Sequence, residues 1–346
     1  MLGNICQQLY TMVDTMVVGQ VAGVEALAAL GAVDFLMWVV TGISTGLTQG
    51  FSIQLSQYYG AKDFENLRKS LAHSYRLTAF IAAGVLILSQ SFASLVLTGL
   101  HTPSNIIGMS LLYLRIIFCG IPATAAYNMF ASALRAMGNS KTPLTAMIIA
   151  SVLNVSLDIL FVAGFGWGVA GAAIATVIAQ SFSAVYCFLI LRRIDIVHLT
   201  RADFMPASGM NARLMKLGIP VVFQNIIIGV GGLVVQYVIN GYGFLFVAGF
   251  TATNKLYGLL EMAAISYGYA IVTYVGQNLG AGKIDRIRKG VRSSMLLSLL
   301  TSLIISAAMF LFGKNILSLF ISGEPQQTQQ VLAIAFKYLS IMAAML

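Results

Sequence analysis

The run from Leu144 to Phe165 is apolar over a length that crosses a ~30 Å hydrocarbon core at ~1.5 Å per residue, and it carries a single acid, Asp158. A carboxylate at that depth costs at least ~2.5 kcal/mol on insertion scales, so Asp158 is expected to face a protein-lined or wet cavity and to mark a functional site. Asn154 stands one helical turn earlier, at i and i+4, and shares its face. A blander role, a buried polar pair that holds helices together, also fits these two residues. The choice between them rests on what other helices bring to the same depth.

The whole chain follows this apolar pattern. Of its 346 residues 58% are hydrophobic and 9% charged, with a mean hydropathy of +0.87, where a soluble domain carries about 25% charged residues. An all-α polytopic membrane protein in a lipid bilayer follows. Apolar spans are read at 1–20, 26–57, 66–98, 105–137, 141–163, 168–193, 211–240, 245–279, 284–313 and 327–346. Basic residues gather in alternate connections: Lys62 to Arg76, Arg135 with Lys141, Arg192 to Lys216, and Lys283 to Arg292. The opposite connections carry only Lys314, which puts the basic ends and the amino terminus in the cytoplasm. The net charge of +9 is thereby a topology signal, with no nucleic acid partner implied. Cys6, Cys119 and Cys187 lie in apolar runs without CxxC spacing, which argues against a disulfide framework or a metal cluster.

The chain also repeats itself. Gly60-Ala61 with Arg68-Lys69 recurs as Gly280-Ala281 with Arg288-Lys289, and at the same offset of 220 Gln57 meets Gln277, Gly23 meets Gly243 and Asp34 meets Asn254. An even number of helices per repeat brings both copies in from the same side, a parallel repeat about an axis along the membrane normal. The expected domains are an amino-terminal lobe over 1–193, a connecting cytoplasmic loop over 194–212, and a carboxy-terminal lobe over 213–346. The second copy stops before the counterpart of Gly120-Ile121-Pro122, and the first begins inside an apolar run, so a truncated second lobe is expected.

Depth from the outer ends collects one set of polar residues. Asp14, Tyr113, Asn154, Asp158 and Thr176 all fall roughly 8–14 Å in, on four helices of the first half. Two carboxylates, an amide and two hydroxyls are oxygen donors suited to a hard cation such as Na⁺ or to shared protons. Two roles are open to Asp34, at a similar depth: joining that set or capping helix contacts. Glu261 lies deeper, where it would touch substrate or pair with a cation. Aromatic and Met side chains, among them Trp38, Tyr127, Met129 and Tyr257, are candidates to line a substrate cavity for lipophilic cations. Gly42, Gly46 and Gly50 are read as close helix packing, with no phosphate-loop role.

With these residues in place, the chain resembles the multidrug and toxic compound extrusion (MATE) family. The matching text is Val13-Asp14-Thr15, Gly60-Ala61, Leu134 to Asn139 with Lys141-Thr142-Pro143, Asn154 to Asp158, Gly168 to Ala173, and Gly276 to Ala281. The resemblance implies two six-helix lobes forming a V, exchange of Na⁺ or H⁺ for small organic cations, and an amino-lobe cation site at Asp14, Tyr113, Asn154, Asp158 and Thr176. It implies a monomeric, multi-pass protein of a prokaryotic inner membrane, with no cofactor beyond the coupling ion. A second branch of the family places an acid in the seventh helix, where this chain has Gln224 and Asn225. Two rival readings are a lipid-linked oligosaccharide flippase of related fold, which needs a more basic cavity, and an intramembrane aspartyl protease, whose GxGD motif is missing.

Overall fold

The structure is a computed structural model that describes residues 11, 13–14, 17–19, 21–22, 24–100, 102, 104, 106–240, 250, 253, 265–318 and 332–341. Among the described residues there is no strand. The helices are α1 (Val24–Gly31), α2 (Asp34–Gly60), α3 (Phe64–Gly99), α4 (Ile107–Cys119), α5 (Ile121–Ala136), α6 (Lys141–Asp158), α7 (Gly168–Arg192), α8 (Met210–Asn240), α9 (265–280), α10 (Ile284–Ser318) and α11 (Leu332–Ile341). The described residues from 11 to 21 that precede α1 are also helical, apart from a turn at its start.

Three of the expected spans are interrupted, each for a local reason. The span read as 26–57 breaks at Ala32-Val33, and Asp34 then opens α2 in the first turn, where a negative charge meets the positive end of the helix dipole. The span read as 105–137 breaks at Gly120, and α4 and α5 meet there at a bend of 46°. Pro122 in the first turn of α5 needs no partner for its missing N–H at that position, but it could not have continued α4. The span read as 141–163 stays α-helical only to Asp158, after which Ile159–Gly164 widens into a π turn. The spans at 1–20 and 245–279 fall largely outside the described residues.

Among the described residues five helices are long and apolar enough to cross a membrane, and a sixth span appears if α4 and α5 are taken together. The helix α2 is not among them. Its buried residues are mainly Gly, Ser, Thr and Gln, because its environment is protein. It lies between α3 and α5 of its own half and α8 of the other, and its glycines allow the closest approach. A Cβ on Gly50 would fall on the backbone of Gly218, and Asn225 Nδ2 donates to the Gly42 carbonyl at 3.0 Å. The short loop Lys62-Asp63 is secured by Asp63, whose carboxylate accepts from the Asn66 backbone at 3.1 Å and from its side chain at 2.7 Å.

The connection after α7 is folded back onto the first half. Two 3₁₀ turns, Asp195–Val197 and Arg201–Phe204, shape it, and Thr200 and Asp203 form a reciprocal capping box. His73 on α3 contacts Asn211 Oδ1 at 2.7 Å and the Met205 carbonyl at 3.0 Å, while Arg68 approaches Asp203 at 3.8 Å. This segment is therefore a docked strap, with buried Asp203 and Val197 as its anchors.

At the end of the molecule that carries the basic connections, the repeat of the sequence becomes a contact. A Cβ added to Gly60 would fall on the carbonyl oxygen of Gln277, and one added to Gly280 would fall on the carbonyl oxygen of Gln57. Only glycine lets the last turns of α2 and α9 approach this closely. Gln277 Nε2 also donates to the Ala136 carbonyl at 2.8 Å, tying α9 to the end of α5.

Candidate functional site

Within the first half, Asp14 and Asp158 are both buried, at 4% and 0% exposure, and neither points to lipid. The charge of Asp14 reaches Asp158, and that of Asp34 reaches Asp14. Asn154 is wholly buried on the turn before Asp158, and its Nδ2 lies 3.4 Å from Thr176 Oγ1 on α7. Tyr113, at 6% exposure, belongs to the same apolar cluster as Val18, Val162 and Val169, which packs α4 against the first helix, the π turn and α7. Asn154 and Thr176 are thus in contact, Asp158 stands one turn from Asn154, and Asp14 and Tyr113 are buried in the same half.

The chemistry of that region lies in what its oxygens lack. Asp14 Oδ1, Asn154 Oδ1 and both carboxylate oxygens of Asp158 are buried without a hydrogen-bond donor. Such groups are normally satisfied, and a buried carboxylate left alone costs several kcal/mol, on the order of the penalty for any unpaired buried ion. A bound proton or cation removes that cost. The π turn that starts at Ile159 was not legible in the sequence. It directs the chain away from α-helical register directly after the key acid, a placement common for such turns near functional residues.

The substrate-cavity candidates separate. Tyr127 lines a cleft of about 630 Å³ between the halves, together with Thr45 and Gln49 of α2, Arg135 of α5, and Tyr269 and Gln277 of α9. Met129 does not: it is 1% exposed and packs in the core with Leu55 and Leu134. Two residues along a helix turn a side chain by roughly 200°, so Tyr127 and Met129 face opposite ways. Trp38 is half exposed and lies beside Gly229 of α8, away from this cleft, and Asp34 is exposed at the start of α2. Tyr257 and Glu261 lie outside the described residues. Arg135, read from the sequence as a topology signal and as part of the stretch that resembles the family but given no site role, is the functional candidate that sequence reasoning missed.

Long apolar helices around buried acids without partners, with a separate polar cleft between two halves, are the makings of a membrane transporter. The comparisons agree. The MatE family profile matches residues 1–160 and 220–346. YpnP of Bacillus subtilis (strain 168), named a probable multidrug resistance protein, is 31% identical over 94% of this chain and 73% of its own length. YoeA of the same organism, named likewise, is 28% identical over 99% of this chain and 74% of its own. In structure, a MOP superfamily transporter from Pyrococcus furiosus superposes with a TM-score of 0.93 at 22% identity, covering 99% of this chain and 76% of that one. A multidrug resistance MATE family transporter in an outward-facing conformation gives a TM-score of 0.89 at 21% identity, covering 99% and 77%. These structural likenesses speak for the fold. The chain belongs to the MATE family; it is a multi-pass membrane transporter and not an enzyme.

Proposed function

We propose that this protein is a secondary antiporter that exports lipophilic organic compounds, organic cations among them, from a prokaryotic cell. In this reading the driving ion, Na⁺ or H⁺, binds in the amino-terminal lobe at Asp14, Asn154 and Asp158, with Thr176 and Tyr113 completing the oxygen set. The observation that carries it is the group of buried acceptor oxygens on Asp14, Asn154 and Asp158 that have no donor. A cation of small radius satisfies several of them at once, and a proton satisfies one carboxylate and turns it into a donor for the other. The similarity to YpnP and YoeA, both named probable multidrug resistance proteins, favours drugs as cargo.

Coupling would then be a difference in ion affinity between two arrangements of the lobes 1–193 and 213–346. Loading the site from outside favours the arrangement that releases cargo outward, and the empty site favours return. The basic ends lie in the cytoplasm by the positive-inside rule, and the multidrug relatives from Bacillus favour the plasma membrane as location. The test is transport in proteoliposomes with the Na⁺ and pH gradients imposed separately. Uptake of a cationic dye driven by one gradient, and lost in Asp158→Asn at equal protein content, is the expected result. Gradient-driven uptake that survives Asp158→Asn rejects the site.

A further inference from the structure

The cleft between the halves has a charge opposite to that of the ion region. Among the described residues Arg135 is its one formally charged lining residue, and the others are hydroxyls, amides, tyrosines and apolar groups such as Leu144 and Met147. Arg135 is held in place from several sides. A Schellman turn closes α5 immediately after it, with Gly138 at φ 87°, Gly138 N–H bonded to the Arg135 carbonyl at 2.9 Å and Asn139 N–H to Leu134 at 2.9 Å. Its Nη2 donates to Ser132 Oγ at 3.2 Å, and its guanidinium carbon lies 5.9 Å from the centre of the Tyr269 ring on the opposite half. Among the described residues the ion pairs are Arg68–Asp203, Lys69–Glu65 and Arg288–Asp285, none of them at Arg135.

A cation anchored only for membrane topology would extend to the headgroups. This one leans across the cleft onto an aromatic face, where it keeps donors free for a ligand. Further along the cleft, Thr45 and Thr48 spend their hydroxyl protons on the carbonyls of Thr41 and Ser44, at 2.6 and 3.0 Å, so their oxygens can only accept. That leaves a place for an N–H of the same ligand.

From this arrangement we propose that the cleft binds amphiphiles carrying an oxyanion, zwitterions included, with Arg135 pairing the oxyanion and the tyrosines the apolar body. The proposal rests on the export reading only in taking the cleft as the cargo path, and it needs no particular driving ion. Cargo selection would then favour molecules with a carboxylate or similar group over those that are purely cationic.

The experiment is equilibrium binding to the full chain in nanodiscs, by fluorescence anisotropy against empty nanodiscs, with 1-pyrenebutanoate and 1-pyrenebutylammonium as a pair matched in ring and chain. Because no gradient is present, failure of the ion assignment leaves the measurement intact. Wild type should prefer the anion by about tenfold, the scale of one charge-assisted hydrogen-bonded contact. Arg135→Gln should erase that preference chiefly by weakening the anion, and Arg135→Lys should restore part of it. Leu144→Glu, on the cleft wall in the first turn of α6 and outside the Schellman turn, should invert the preference, and it provides the test if Arg135→Gln does not fold. Equal binding of both probes by wild type overturns the proposal. So does an Arg135→Gln protein, or a Leu144→Glu protein, that keeps the wild-type preference.

Discussion

The two polar regions of this protein differ in charge and in access. One is a buried set of two acids and an amide inside the amino-terminal half, with four acceptor oxygens that lack donors; the other is a wide cleft between the halves with a guanidinium and no described acid. In the proposed reading a small ion occupies the first and a bulky amphiphile the second. The lesson is that burial selects the size of the ligand and the sign of the nearest charge selects its type. Two ligands can then be kept apart in one molecule without competing for the same atoms.

That contrast can be broken most completely at the acid. Asp158→Asn retains shape and removes the charge, so ion-driven efflux should fall to the level of empty vesicles while the protein remains in the membrane, measured as dye transport at matched abundance. Cleft binding of the pyrene pair should persist in that variant, which is the sharper half of the comparison.

The next effect is at the contact between the halves. Gly60→Leu puts a side chain where the Gln277 backbone lies, and backbone cannot yield as a side chain can. The cost should exceed the ~1–3 kcal/mol of ordinary overpacking, and transport should be lost with the acid site intact. Cross-linking yield between cysteines placed at Gln57 and Gln277 reports the separation directly, and unchanged yield refutes the steric argument. Asn154→Leu should be milder: it removes one acceptor and a long contact to Thr176, lowering ion affinity by about tenfold with cleft binding unaltered, as read by ion-dependent thermal shift.

The smallest expected effect lies outside both regions and controls for general destabilisation. Hydrogen bonds from the Asn66 side chain and then its backbone hold the Asp63 carboxyl below its usual range. Its stabilisation is therefore present at neutral pH, above the unfolded-state value, and disappears as pH falls through the depressed folded-state value. Asp63→Ala should cost ~1 kcal/mol at neutral pH and nothing in strong acid, as seen in thermal melts of the two proteins. Equal loss at both pH values would show that the cap is not the cause.

Much of this was legible in the sequence because a charge inside an apolar run has few explanations. Asp14 and Asp158 declared themselves that way, Asn154 by standing one turn before Asp158, and the glycines of α2 by their spacing. The break at Gly120 was visible in principle from Pro122, whose missing N–H stops a helix from running through, yet hydropathy alone reads straight across it. The π turn after Asp158 has no composition of its own, since Ile159 to Gly164 is as apolar as the turns before it. Met129 was misplaced because chemical type was used without angular position. Arg135 was passed over for a related reason: its place in a basic connection accounted for its charge, and only the ring of Tyr269 from a distant segment reveals where the guanidinium goes.

The contacts of Gly60 with Gln277 and of Gly280 with Gln57 are crossed, since Gly60 corresponds to Gly280 and Gln57 to Gln277 at the offset of 220. A surface in which position i meets j and j meets i is the isologous interface of a C₂ dimer. A helical unit bearing Gln and Gly at that spacing therefore possesses a self-complementary patch, able to pair with an identical copy of itself.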